Sequence, residues 1–149
     1  MSLKYINGDL VKMAFNGEFG IIVHGCNCFC NMGAGIAKQI KQTFPEAYVA
    51  DCQTIPRDRN KLGKLSIAYS LGITVINAYT QYGYGRNKAH VDYAAIRSCM
   101  KEVKKLVSGL KIGMPLIGAG LGGGDWAIIE KIIEEELQGE DVTIVKYTP

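Results

Sequence analysis

Residues 22–37, IVHGCNCFCNMGAGIA, gather side chains that can do chemistry. His24 titrates near neutral pH, as a general acid or base should. Asn27 could stabilise its loop. Cys26, Cys28 and Cys30 lack the C-x-x-C spacing of common zinc knuckles. Small thiols packed behind a loop are the simpler reading, and no metal site is expected. A second stretch, PLIGAGLGGGDW, puts Asp125 directly before a helical pattern. A carboxylate there can cap the helix and still face a cleft.

Both stretches carry glycines where a strand pattern gives way to a helix pattern. The first has Gly33 and Gly35; the second has Gly118, Gly120, Gly122, Gly123 and Gly124. Amides at a helix N-terminus attract anions, and glycine removes the side chain that would block a phosphate. Two such loops predict a cradle for the two phosphates of a diphosphate. Gly118, Gly120 and Gly123 also fit G-x-G-x-x-G, but late in the chain with only one strand to follow. As a nicotinamide-cofactor fingerprint that is weak, and no cofactor is expected.

The elements that must position these residues alternate. Strands are predicted at LKYI (Leu3–Ile6), FGIIVHG, LSIAYS, ITVINAY, KIGMPLIG and VTIVKY, with a tight LG hairpin between the third and fourth. Helices are predicted over Gly33–Phe44, from Pro45 through Tyr48, over Val91–Val107 and over Asp125–Leu137. Ile36, Ala37 and Ile40 share a face of the first. Val91, Ala95, Ile96, Met100, Val103 and Val107 recur at helical steps in the third. Ile128, Ile129, Ile132 and Ile133 face inward in the last. RDRNKLGK reads as a surface loop. TQYGYGRNKAH reads as a loop in which Tyr82 and Tyr84, beside Tyr79, could flank a ligand, with His90 solvated at its end. Trp126 anchors the last helix. The class is α/β: a mixed central sheet covered on both faces, with ligands beyond the carboxyl ends of its strands.

A chain of 149 residues suits one domain, 1–149, and 48% hydrophobic residues with 21% charge argue against disorder. No apolar run approaches the roughly 18 residues of a membrane span, and the start has no long apolar segment like that of a secretory signal. Five cysteines, an odd count, argue for reduced thiols in a cytoplasmic setting. A net charge of +3 without a dense basic cluster is too diffuse for duplex nucleic acid, but it tolerates a small anionic ligand. The expected partners therefore exclude membranes and duplexes.

Four segments in this order, NGDL, HGCNCFCNMGAGIA, NAYTQ and PLIGAGLGGGDW, resemble the macrodomain family over nearly the whole chain. The resemblance implies a three-layer α/β/α fold and a cleft for ADP-ribose derivatives, with ADP-ribosylated proteins as a further partner class. It is similar to the branches containing ADP-ribose 1''-phosphate phosphatases and the terminal ADP-ribose–glutamate glycohydrolase. It implies that Asp9 accepts from the adenine amino group and that Leu10 gives a neighbouring backbone contact. Met32, Gly33, Ala34, Gly35, Ile36 and Ala37 match the first phosphate loop; Gly118, Ala119, Gly120, Leu121, Gly122 and Gly123 match the second. Asn27 lies near the distal ribose and Asp125 at the catalytic end, while Tyr147 and Pro149 border the adenine. The glycohydrolase branch uses a mid-chain lysine for a covalent adduct. Gln81 stands there in this chain and cannot form a Schiff base.

The expected activity is hydrolysis of ADP-ribose 1''-phosphate to ADP-ribose and phosphate, with His24, Asn27 and Asp125 catalytic. One of His24 and Asp125 would activate the nucleophile and the other would assist the leaving oxygen. The rivals are removal of ADP-ribose or acyl groups from carboxylate esters, and ADP-ribose binding without turnover.

Overall fold

Six strands, those at the centre apolar and buried on both faces, pair into one sheet. The strands are β1 (Lys4–Gly8), β2 (Ile21–Cys26), β3 (Leu65–Ser70), β4 (Ile73–Tyr79), β5 (Lys111–Met114) and β6 (Asp141–Tyr147). Their order is β1-β6-β5-β2-β4-β3, and every pair is parallel except the β3–β4 hairpin. The computed structural model describes residues 3–84, 91–107, 109–120 and 122–148. Helices α1 (Leu10–Phe15), α2 (Gly35–Thr43) and α3 (Pro45–Cys52) cover one face; α4 (Tyr93–Leu106) and α5 (Trp126–Glu136) cover the other. This is the expected mixed α/β sandwich.

Strand alternation divides the core. Ile22 and Val75 pack toward α1–α3 with Ile40, Phe44 and Ala47. Ile21, Val23, Ile76 and Ala78 pack toward α4 and α5 with Ile96, Met100, Ile129 and Ile133. Each step of one residue along a strand changes the face, so the register decides which layer a side chain joins.

Several boundaries move for local reasons. α4 starts at Tyr93, not Val91, because the Asp92 side chain caps it by accepting from the Ala95 amide at 3.0 Å. Val91 instead forms an isolated bridge with Gln81. β5 stops at Met114, since Pro115 cannot donate to the ladder. α3 runs on to Cys52. α1 was not expected: six residues give too little periodicity, although Asp9 caps it and Leu10, Val11 and Ala14 are buried. Ile128 is 44% exposed, so α5 buries a narrower stripe than its isoleucines imply. RDRNKLGK is not wholly a surface loop. It contains a 3₁₀ turn (Arg59–Lys61), with Lys61 and Gly63 buried. Much of the TQYGYGRNKAH loop, including His90, lies outside the described residues, as do Leu121 and Pro149.

Gly113 shows how tightly α1 is seated. A Cβ there would lie 2.8 Å from Leu10 Cδ1 and from the Phe19 ring. Gly113→Ala should therefore destabilise the fold by about 1–3 kcal/mol, as overpacking does. Urea denaturation measures this directly; an unchanged midpoint would mean that α1 simply shifts outward.

Candidate functional site

The carboxyl ends of the central strands open into a cleft. Gly25 and Cys26 at the end of β2 and Pro115–Ile117 after β5 form its floor, in a cavity of about 480 Å³. One wall is the start of α2, Ala34–Ala37, with Asn31; the other is Gly118, Gly120 and Gly122. Asn27, Gln81 and Tyr84 stand at one end. At the other, Gly35, Ile36, Pro115 and Leu116 are shared with a second lobe of about 310 Å³ lined by Leu10, Gln39, Val145 and Tyr147. Gly25 has no room for a side chain: a Cβ would meet Thr80 Oγ1 at 2.7 Å and Ile117 Cγ2 at 3.2 Å.

The walls differ in their chemistry. Asp9, Asp92 and Asp125 each cap a helix with a carboxylate oxygen. α2 and α3 have no such cap among the described residues. α3 begins at Pro45, which has no amide hydrogen to satisfy, whereas at α2 Ala34 occupies the position and no described side chain bonds the first amides. That N-terminus opens into the cleft, where its dipole and free amides favour an anion. The glycine wall folds on itself, the Gly124 amide donating to the Gly118 carbonyl at 2.7 Å. A Cβ on Gly122 would sit 2.9 Å from both Gln81 Oε1 and that carbonyl. Close packing, as much as ligand access, demands glycine there.

The expected residues separate into those the fold gathers and those it does not. Asn27, Ala34, Gly35, Ile36, Ala37, Gln81, Gly118, Gly120 and Gly122 line the main cavity, and Leu10 and Tyr147 the second lobe. Asn27 also braces its loop, donating to the Asn31 carbonyl and accepting from the Phe29 amide, each at 2.9 Å. Met32 is a core residue, 2% exposed. The Gly33 amide is taken by Asn31 Oδ1 at 3.0 Å. Ala119 and Gly123 do not line the cavity. Asp9 faces a separate groove between α1 and α2, beside Lys12 and Gln42. Asp125 is exposed at the α5 N-terminus and accepts from the Ala127 amide at 2.9 Å. Asn31, Pro115 and Leu116 were not expected. Pro115 and Leu116 directly follow β5, and Asn31 sits in the loop between β2 and α2. Among the described residues no three His, Cys, Asp or Glu side chains gather as metal ligands, and no helix is long and apolar enough to cross a membrane.

The Macro domain model matches residues 23–133, from the middle of β2 into α5. The chain belongs to the Macro domain family. This macrodomain is 39% identical to the 17.5 kDa protein of the tk-vs intergenic region of Enterobacteria phage T4, over 100% of this chain and 99% of that one. It is 30% identical to the ADP-ribose 1''-phosphate phosphatase of Candida albicans, covering 89% of this chain and 92% of the relative. It is 28% identical to the ADP-ribose glycohydrolase OARD1 of Bos taurus, covering 98% and 91%. A solved protein of unknown function from Bacteroides thetaiotaomicron superposes with a TM-score of 0.80 at 27% identity, covering 98% of each chain.

Behind the macrodomain's cleft floor runs a chain of polar groups, buried but for the half-buried Ser66. Asn77 Nδ2 donates to the Ala47 carbonyl at 2.9 Å and to Ser66 Oγ at 3.0 Å. With both amide hydrogens used, Asn77 Oδ1 is the atom turned to His24 Nε2, 2.6 Å away, so that nitrogen carries the proton and donates. Ser66 continues to the Tyr79 hydroxyl at 2.8 Å, which donates to Asp51 Oδ1 at 2.7 Å. His24 is fully buried and is not a cleft-lining residue; its side chain touches Cys26 of the floor, whose Sγ lies 3.5 Å from its Nε2. Burial lowers its pKa from 6.5 to about 4, with the Asn77 bond opposing. The imidazole is thus neutral at physiological pH and sealed from substrate, which withdraws the geometric support for an acid–base role. Burial also pushes the Asp51 carboxyl up, against the Tyr79 hydrogen bond and the charge of Lys61.

The imidazole predicts a pH dependence of stability. It titrates near 6.5 unfolded and near 4 folded, so the unfolded chain takes the proton first. Its contribution is complete above the unfolded value and falls by about 3 kcal/mol as pH drops through that window. His24→Gln should flatten this part of the curve in denaturation series from pH 7 to pH 4. Identical slopes for both proteins would show that another group titrates.

Proposed function

We propose that this macrodomain binds ADP-ribose along the cleft and hydrolyses ADP-ribose 1''-phosphate to ADP-ribose and phosphate. The observation that carries the binding mode is the uncapped N-terminus of α2 facing the glycine wall. A diphosphate between them would supply the anion that α2 lacks. The lobe of Leu10, Val145 and Tyr147 then takes the adenosine end, and the distal ribose falls beside Asn27 and Gln81. The Candida albicans relative supports the phosphatase activity by its name. Of the expected acid–base pair His24 is buried, and Asp125, exposed at the α5 N-terminus outside the residues that line the cavity, is left as the candidate for activating water, with Asn27 orienting the ribose. A second reading, hydrolytic removal of ADP-ribose from a carboxylate ester, draws on the glycohydrolase relative. Gln81 in the cleft has no amine for a covalent adduct, so that route would need direct attack by water.

Free ADP-ribose at about 100 times its dissociation constant should stabilise the fold by about 2.7 kcal/mol. For a chain of this size that raises the melting temperature by roughly 5–10 °C. No shift at millimolar ligand would remove the binding site itself.

Turnover separates the activities. The protein should release phosphate from ADP-ribose 1''-phosphate faster than it cleaves ADP-ribosylated glutamate or O-acetyl-ADP-ribose. Asp125→Asn keeps a good helix cap while deleting the charge. It should cut phosphate release by roughly 10²-fold or more with ADP-ribose affinity nearly unchanged. Full phosphatase activity in that variant would exclude Asp125 from the chemistry. Binding with no turnover on any substrate would leave a reader.

A further inference from the structure

The cleft loop from Asn27 to Gly33 is held from behind by a side chain that the proposed hydrolysis does not use. Lys61, on the 3₁₀ turn, is only 6% exposed. Its ammonium donates to the Cys28 carbonyl at 3.2 Å, stands 4.7 Å from the centre of the Tyr79 ring and lies 3.7 Å from Cys30 Sγ. Among the described residues no carboxylate forms a direct ion pair with it, and the buried Asp51 carboxyl feels its charge from farther off. A buried ammonium is costly unless paired, so this placement calls for a reason.

Cys30 is the unusual neighbour. Its φ of 56° is a left-handed conformation that residues other than glycine rarely hold. That turn aims its thiol at the Asp51 carbonyl at 3.2 Å, the Thr54 hydroxyl at 3.5 Å and the Lys61 ammonium. Cys28 points elsewhere, to the Gln81 carbonyl at 3.5 Å, so the two thiols are not set to pair with each other. Cys26, Cys28 and Cys99 are buried, Cys30 is partly exposed and Cys52 is exposed.

We propose that Cys30 and Lys61 form an oxidative modification site, at which a hydroperoxide converts thiol and amine into a reversible sulfenamide bridge. In the first step the Cys30 sulfur attacks a peroxide oxygen and the O–O bond breaks. The sulfur is oxidised to a sulfenic acid, and the peroxide is reduced, leaving as water when the peroxide is hydrogen peroxide. In the second, Lys61 gives its extra proton to solvent and the neutral amine attacks that sulfur. The S–N bond forms, the S–O bond breaks, and the hydroxyl leaves as water with a proton from the amine. Two equivalents of a thiol reductant reverse the bridge, returning thiol and amine and leaving as a disulfide. The flexible lysine stem closes the gap to bonding distance. The bridge joins the loop carrying Asn27 and Asn31 to the 3₁₀ turn, so the oxidised protein has its cleft loop covalently pinned.

Peptide mapping of the intact protein after hydrogen peroxide tests this, with remaining thiols alkylated before digestion. The Cys30 peptide should be joined to the Lys61 peptide, and dithiothreitol should separate them. Cys30→Ser should give no bridge. Lys61→Arg should leave a Cys30 sulfenic acid that dimedone traps. The bridged protein should also melt higher than the reduced one, because a cross-link between these positions restricts the unfolded chain. Cys30 recovered as free thiol, as unbridged sulfenic or sulfinic acid, or as a disulfide with another cysteine would overturn the proposal. The wild-type map decides this alone, even if a variant fails to fold.

Discussion

The parallel register of β2 with β4 is the constraint on which the rest of the site depends. It sets Ile22 against Val75, His24 against Asn77 and Cys26 against Tyr79. Ile22 and Val75 pack toward α1–α3, and Asn77 and Tyr79 reach α3 at Ala47 and Asp51; a one-residue slip would turn these side chains to the other layer. The same register ends both strands at one level. The chain beyond β2 becomes the loop before α2, and the chain beyond β4 brings Gln81 and Tyr84 to the same cleft. The cavity is the gap left where these connections part.

A polar network inside an apolar sandwich holds that register. From His24 through Asn77, Ser66 and Tyr79 to Asp51, each bond uses a group that would otherwise be buried without a partner. The network couples β2, β3, β4 and α3, and it lies directly behind the cleft floor. His24 belongs to it for the same reason that it is a poor acid or base: the burial that makes its hydrogen bond to Asn77 valuable also suppresses its charge.

Helix ends divide structural from ligand chemistry. Three helices carry their own aspartate caps, and their N-termini are satisfied by the chain. α2 carries alanine at that position and turns its first amides to the cleft. The glycines opposite are required by backbone packing at Gly122 and by positive φ at Gly118 and Gly123. The two walls are therefore not equivalent: one offers donors and a dipole, and the other offers a close-fitting surface.

The sequence alone determined the alternation of strands and helices, the hairpin that makes the sheet mixed, and the two glycine-rich segments that became opposite walls. These are local properties, carried by periodicity and turn chemistry within a few residues. α1 escaped because six residues hold too little periodicity, and its capping Asp9 reads equally as a ligand contact. Only the tertiary structure decided which side chains reach the cleft. His24, Met32 and Lys61 look chemically available in one dimension, yet strand parity and packing bury all three. Pro115 and Leu116 look unremarkable until β5 ends beside β2. A side chain's layer depends on which strand lies next to its own, and that pairing joins residues some 50 to 90 positions apart. No window of local sequence contains it.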